Sequence, residues 1–223
     1  MAATRTRAVS DDEKQARRGA ILAAADALVR GQGRAIASVA AVAAHAGVAK
    51  GTVYLYFRTR EEIFLALHGL WMGRMFQRFD ALFDRRRLDG AAIGREMAAA
   101  MCSEPHGLML ASICHSVMET HIEFEPARDF KVELAARLRA SGRLLERAFP
   151  RLKRGSGPRL LVRAYALTLG LWQLMDTSAR WREVEELPGL EVFRAQYPQE
   201  LKAALVAFWR GALDRAPARR GGA

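Results

Sequence analysis

The sequence predicts an all-α fold of about nine helices, and three observations carry that expectation. Apolar residues recur at three- and four-residue spacing in segment after segment. No run alternates with period two convincingly enough to make a strand. Alanine and leucine are plentiful, while proline and glycine are sparse after the first third of the chain. With 223 residues, of which 51% are hydrophobic, the chain can bury a substantial core and no internal repeat divides it.

The elements follow in order. Residues 1–10 read as a flexible tail, with Arg5 and Arg7 among small residues, and Ser10 with Glu13 makes a capping-box start. Ile21, Leu22, Ala25, Leu28 and Val29 then keep helical spacing until Gly31 and Gly33. Ser38 suits the N-cap of a short second helix reaching about Ala46; Gly47 breaks it, and a third runs from about Ala49 to Phe57. Thr59 and Glu62 form another capping box, opening a long fourth helix. Its period is held by Ile63, Phe64, Leu67, Leu70, Trp71, Met75, Phe79 and Leu82. Five further segments are expected near 89–103, 106–121, 127–149, 158–178 and 198–214. Pro105, Pro126, the loop from Gly155 to Pro158 and a long connection around Pro188 separate them.

The chain carries a formal charge of +11 and a pI near 10.6, which attracts polyanions, nucleic acid before anionic membrane. The charge is uneven: residues 1–60 hold ten Lys and Arg against four Asp and Glu. Two cysteines, Cys102 and Cys114, are too few for a disulfide scaffold, so a reducing cytoplasm is expected. The first twenty residues contain no apolar run of the signal-peptide kind. The most apolar stretch, Leu160 to Met175, is shorter than a membrane span and is interrupted by Arg163 and Gln173.

The most informative segment runs from Val39 to Phe57. Two short helices cross closely only where a small residue sits at the contact and the turn tolerates positive φ. Ala43 and Gly47 fill those places, and Val42, Ala46, Val48, Val53 and Phe57 supply apolar faces. That is the pattern of a helix-turn-helix. At about 100° per residue, Val53 and Phe57 point inward, whereas Gly51, Thr52 and Leu55 point outward, flanked by Lys50, Tyr54 and Tyr56. Such a face, without bulk or acid, fits a major groove, with Thr52 for a base or phosphate and Leu55 for a thymine methyl. Lys50, Tyr54, Tyr56 and Arg60 are placed for phosphates, the last near a helix N-terminus. Core packing is an equal reading of Tyr56.

These residues resemble the DNA-binding domain of the tetracycline-repressor (TetR) family over Ile21 to about Leu67. The resemblance lies in Ile21-Leu22 with Ala24-Ala25, Val42-Ala43, Ala46-Gly47-Val48, and Lys50 through Phe57 followed by Arg60-Glu61-Glu62. Ser38 stands where the family more often has Thr, and Ala49 where it usually has Ser or Thr, removing a cap of about 1 kcal/mol. The resemblance implies a DNA-binding domain of three helices at 11–58, a ligand-binding and dimerisation domain at 59–216, and a flexible tail at 217–223. The expected DNA-contacting set is Ser38, Ala49, Lys50, Gly51, Thr52, Tyr54, Leu55, Tyr56 and Arg60.

Arg159 to Asp176 is apolar nearly all round, and such a helix has to be buried on every side. Together with the last helix (Leu201, Leu205, Phe208, Trp209, Leu213) it is expected to form a two-fold homodimer interface. Leu161, Leu169, Leu205, Phe208 and Trp209 are its candidate contacts; a central helix buried in a monomer is the alternative. His68, Trp71, Met75, Met109, Ile113, Tyr165 and Trp172 are candidates for a pocket that takes a small hydrophobic effector, ordinary core packing being the competing reading of each. Cys102, His106, Cys114, His115, Glu119 and His121 gather within twenty residues, yet no cysteine pair has finger-like spacing, and neither metal nor cofactor is expected.

No nucleotide-binding glycine loop, nucleophile motif or paired carboxylates suggest an enzyme. The expected function is a cytoplasmic, nucleoid-associated repressor on a palindromic operator. An effector would release it by favouring a state in which the fourth helix swings. Ligand-responsive activation and non-specific architectural DNA binding are the alternatives.

Overall fold

The computed structural model describes residues 2–32, 37–85, 88–175 and 179–214; the tail at 217–223 and the side chains of 2–10, 32, 115–120 and 179 lie outside it. The helices are α1 (Ala2–Gln32), α2 (Val39–His45), α3 (Lys50–Tyr54), α4 (Arg60–Phe83), α5 (Gly90–Cys102), α6 (Pro105–His121), α7 (Phe124–Ala148), α8 (Ser156–Met175), α9 (Ala179–Glu185) and α10 (Tyr197–Leu213). A 3₁₀ turn at Glu191–Phe193 precedes α10, and no strand occurs among the described residues.

The all-α expectation holds, with three corrections. The flexible tail expected at 1–10 is instead helical from Ala2: this stretch has no Gly or Pro, so Ser10 becomes an interior residue rather than a start. Pro126 and Pro158 do not separate helices; each sits in the first turn of α7 or α8, where a missing N–H costs nothing. The connection around Pro188 contains a further helix, α9, so the described helices number ten rather than nine.

Two compact units result. The first comprises residues up to Trp71 together with Met109–Phe130. Its core is formed by Ile21, Leu22, Ala25 and Val29 of α1 with Val42, Ala43, Val53, Phe57, Ile63 and Phe64. Ser38 caps α2 by accepting the Ala41 N–H at 3.1 Å. Gly47 takes φ 65°, the conformation anticipated at the turn, and the Val48 N–H donates to the Ala43 carbonyl at 3.0 Å. Of the capping box expected at the head of α4, the Thr59 half forms, while the Glu62 carboxylate reaches past the N-cap to the residue before it. Thr59 Oγ1 accepts the Glu62 N–H at 3.1 Å, and Glu62 Oε2 accepts the Arg58 N–H at 2.8 Å.

The second unit comprises Met72–Leu108 and residues from Lys131 onward. Its α5 lies backbone to backbone against α10, because Gly90 and Gly94 leave room for the chain at Trp209 and Val206. Gly142 of α7 and Gly157 of α8 allow an equally close crossing. Asp89 caps α5 through the Ala92 N–H at 2.6 Å, and the Gly90 N–H donates to Asp214 Oδ1 at 3.1 Å. No helix is long and apolar enough to cross a membrane among the described residues.

Candidate nucleic-acid interface

The helix-turn-helix places its side chains as helical geometry dictates. Val53 is fully buried and Phe57 nearly so, with the Arg18 guanidinium over the Phe57 ring at 5.0 Å. These contacts fix α3 from behind. Leu55 is 80% exposed and Tyr54 45% exposed, while Lys50 and Gly51 are exposed and Thr52 and Tyr56 half-buried. Lys50 Nζ lies 5.9 Å from the centroid of the Tyr54 ring, so the two flanking residues form one unit. Nothing meets a Cβ built on Gly51, which leaves open space there.

The third helix is shorter than the 49–57 expected. It ends at Tyr54, and the Leu55, Tyr56 and Phe57 N–H groups bond to Thr52 and Val53 carbonyls in a closing turn. Leu55 therefore stands at the C-cap and still faces solvent. Ala49 takes extended N-cap dihedrals with no side-chain bond, and its carbonyl accepts the Thr52 N–H at 2.9 Å. Ser38 is exposed. Arg60 is exposed too, but its guanidinium binds Glu61 Oε1 at 3.0 Å and is not wholly at the disposal of a phosphate. One exposed cation was missing from the expected set: Arg58, paired with Glu123. Its position in the turn after Phe57 was readable, but its partner, 65 residues away, was not.

The residues expected around an effector fall in both units. In the first, His68 stacks on Trp71 with centroids 5.6 Å apart and lies tilted against Phe130 at 5.7 Å. Trp71 Nε1 is buried without an acceptor among the described residues. Met109 is buried there and Ile113 half-buried. In the second unit Met75 is buried, while Tyr165 and Trp172 are half-buried. Trp172 meets Tyr197 edge-on at 5.1 Å, and the Tyr197 hydroxyl donates to the Thr168 carbonyl at 3.3 Å. Burial, and then the nearby Cys102, push the Tyr197 phenol well above its ordinary value. Phe130 and Tyr197 were not anticipated, because aromatic partners from distant helices leave no local pattern.

Four of the five expected dimer contacts are placed differently. Leu161, Leu169, Leu205 and Trp209 are buried inside their own unit, leaving only Phe208 half-exposed. A helix that is apolar all round still has to fill its own subunit first, and these four do so. The outer stripe of α8 is instead Val162, Ala166 and Leu174, with Val162 48% and Leu174 75% exposed. On α10 the exposed stripe is Ala203, Ala207 and Gly211. Of the candidate metal and redox residues, the Cys114 thiol donates to the Phe64 carbonyl at 3.7 Å, and burial pushes its pKa up to about 12. The side chains of His115 and Glu119 lie outside the described residues. Among the described residues, no three His, Cys, Asp or Glu side chains group as metal ligands would.

Comparison with known proteins agrees with this architecture. Residues 21–67 match the family described as bacterial regulatory proteins, tetR family, and residues 66–216 match the tetracyclin repressor-like C-terminal domain. A proposed transcriptional regulator from Rhodococcus sp. RHA1 has a similar fold, with a TM-score of 0.59 at 16% identity, over 89% of this chain and 95% of that one. A proposed TetR-family regulator from Mesorhizobium loti MAFF303099 is similar at a TM-score of 0.54 and 16% identity, over 89% and 96%. Sequence comparison with curated proteins returns no significant match.

Proposed function

Because the chain belongs to the TetR family of bacterial regulatory proteins, we propose that it represses transcription as a homodimer on a palindromic operator and is released by a small hydrophobic effector. The family's members are transcription regulators rather than enzymes. The observation that carries the DNA-binding part is the free face of α3. Leu55 is 80% exposed beside Lys50 and Tyr54, an arrangement a solvated surface has no reason to keep but a major groove uses. Ser38, Ala49, Gly51, Thr52, Tyr56 and Arg60 complete the proposed contact set. The functional division remains 11–58 for DNA and 59–216 for effector and dimerisation.

The dimer is supported by the outer faces of α8 and α10. Gly170 and Gly211 have open space where a Cβ would stand, so a second copy can approach closely along stripes that also present Val162 and Leu174. Arg159, Arg163, Ala207 and Gly211 line a groove of about 550 Å³ on the same face. For the effector, the buried indole N–H of Trp71 offers a hydrogen-bond donor beside the apolar faces of His68 and Phe130. An effector acts only through its differential affinity for the DNA-competent and released states.

Selection of bound duplexes from a random pool by the full-length protein tests the reading. The expected result is an enriched palindrome with half-sites about 34–36 Å apart, or a multiple of that. Binding should weaken steeply with salt as counterions are released. Failure to enrich any sequence at moderate salt would overturn it.

A further inference from the structure

We propose that Arg58 is a phosphate contact of the DNA-binding surface and that Glu123 competes with DNA for it. The inference rests on the DNA-binding reading above and adds to it a residue pair outside the expected contact set. Arg58 is exposed in the segment between Leu55 and Arg60, directly after Phe57 and two residues before Arg60. Its main chain is fixed, because the Arg58 N–H donates to Glu62 Oε2 at 2.8 Å. Its guanidinium is not committed to the core: the side chain is 72% exposed and forms an ion pair with Glu123, itself 57% exposed. Glu123 lies in the turn between α6 and α7, where its carbonyl accepts the Ala127 N–H.

Both groups are held in place by their backbones and both are in water. An exposed pair of this kind contributes little and is screened by salt. A duplex offers the same guanidinium a bidentate phosphate, with the entropy of counterion release added. Arg58 therefore exchanges one anion for another when the protein engages DNA, and Glu123 opposes binding only by holding that guanidinium. The acid sits at the head of α7, so the loop joining two C-terminal helices sets the number of free cations at the DNA surface.

The test uses the full-length protein, a duplex enriched in the selection above, and fluorescence anisotropy across a sodium chloride series. Glu123→Gln should tighten binding several-fold. Arg58→Ala should weaken it, with the slope of log affinity against log salt flatter by about 0.9 per subunit. The double variant should match Arg58→Ala alone, because Glu123 acts only through Arg58. Unchanged affinity for Glu123→Gln, or a gain that survives in the Arg58→Ala background, overturns the proposal. Lys50→Ala is measured alongside: if it weakens binding while the pair does nothing, only this inference fails. If no variant changes affinity, the DNA-binding surface itself has been misplaced. Thermal melting of each variant checks that the fold is retained.

Discussion

Gly94 and Val206 are in backbone contact: a Cβ added to Gly94 would stand 2.6 Å from the Val206 Cα. Neither side of that contact is a flexible side-chain end, so the strain cannot be relieved by a rotamer change. Gly94→Ala must separate α5 from α10, and overpacking of this kind costs about 1–3 kcal/mol. Gly19 is the contrast, since it lies exposed within α1 and nothing stands within 4 Å of its Cβ position. Gly19→Ala should stabilise by about 0.4–1 kcal/mol through the unfolded state. Urea unfolding should show the two midpoints moving in opposite directions; a harmless Gly94→Ala would refute the close crossing.

The sequence revealed most where the determinant is local. Ser38, Gly47 and Thr59 announce caps and a turn through their own side chains or backbone, and each occupies its expected place. What it concealed is set by partners far along the chain. Leu161 and Trp209 look equally suited to a core and to an interface, and only their neighbours decide for the core. The short α9 was missed because Trp181 and Val184 are exposed and give no buried stripe. The pairing of Arg58 with Glu123 needs two distant turns to meet.

Ala49 is a vacancy that a single hydroxyl can fill. Its dihedrals, φ −67° and ψ 147°, are those of an N-cap, yet it provides no side-chain bond to α3. Ala49→Ser should supply one and raise stability by about 0.5–1 kcal/mol. Equilibrium unfolding measures the gain. The Thr52 N–H already donates to the Ala49 carbonyl at 2.9 Å, so a loss of stability would mean that the hydroxyl can neither share it nor reach the Gly51 N–H.

The two cysteines should differ in reactivity. Cys114 is 4% exposed, with its thiol against the Phe64 carbonyl, whereas Cys102 is only partly buried. Burial raises both thiol pKa values, that of Cys114 to about 12 from an ordinary 9. At pH 8 a disulfide reagent should label Cys102 slowly in the native protein and Cys114 only after unfolding. The sign of the linked pH effect follows. Between about pH 9 and 12 the unfolded chain releases the Cys114 proton while the native chain keeps it, so stability falls with rising pH across that window. Cys114→Ser should flatten part of that decline. Rapid native labelling of Cys114 would contradict its placement.

Leu174 tests the dimer. An isolated chain leaves it 75% exposed on the same face of α8 as Val162, which is 48% exposed. If a second copy covers that stripe, Leu174→Glu buries a charge with no partner, a cost large enough to separate the subunits. Val132 of α7 is also exposed, at 62%, but lies outside the proposed interface, so Val132→Glu should leave the assembly intact. Light scattering coupled to size-exclusion chromatography should give a dimer for the parent and for Val132→Glu, and a monomer for Leu174→Glu. The monomer should also bind a selected palindrome far more weakly, because the second half-site no longer adds its effective concentration. A Leu174→Glu protein that keeps the parent's mass would place the interface on another face.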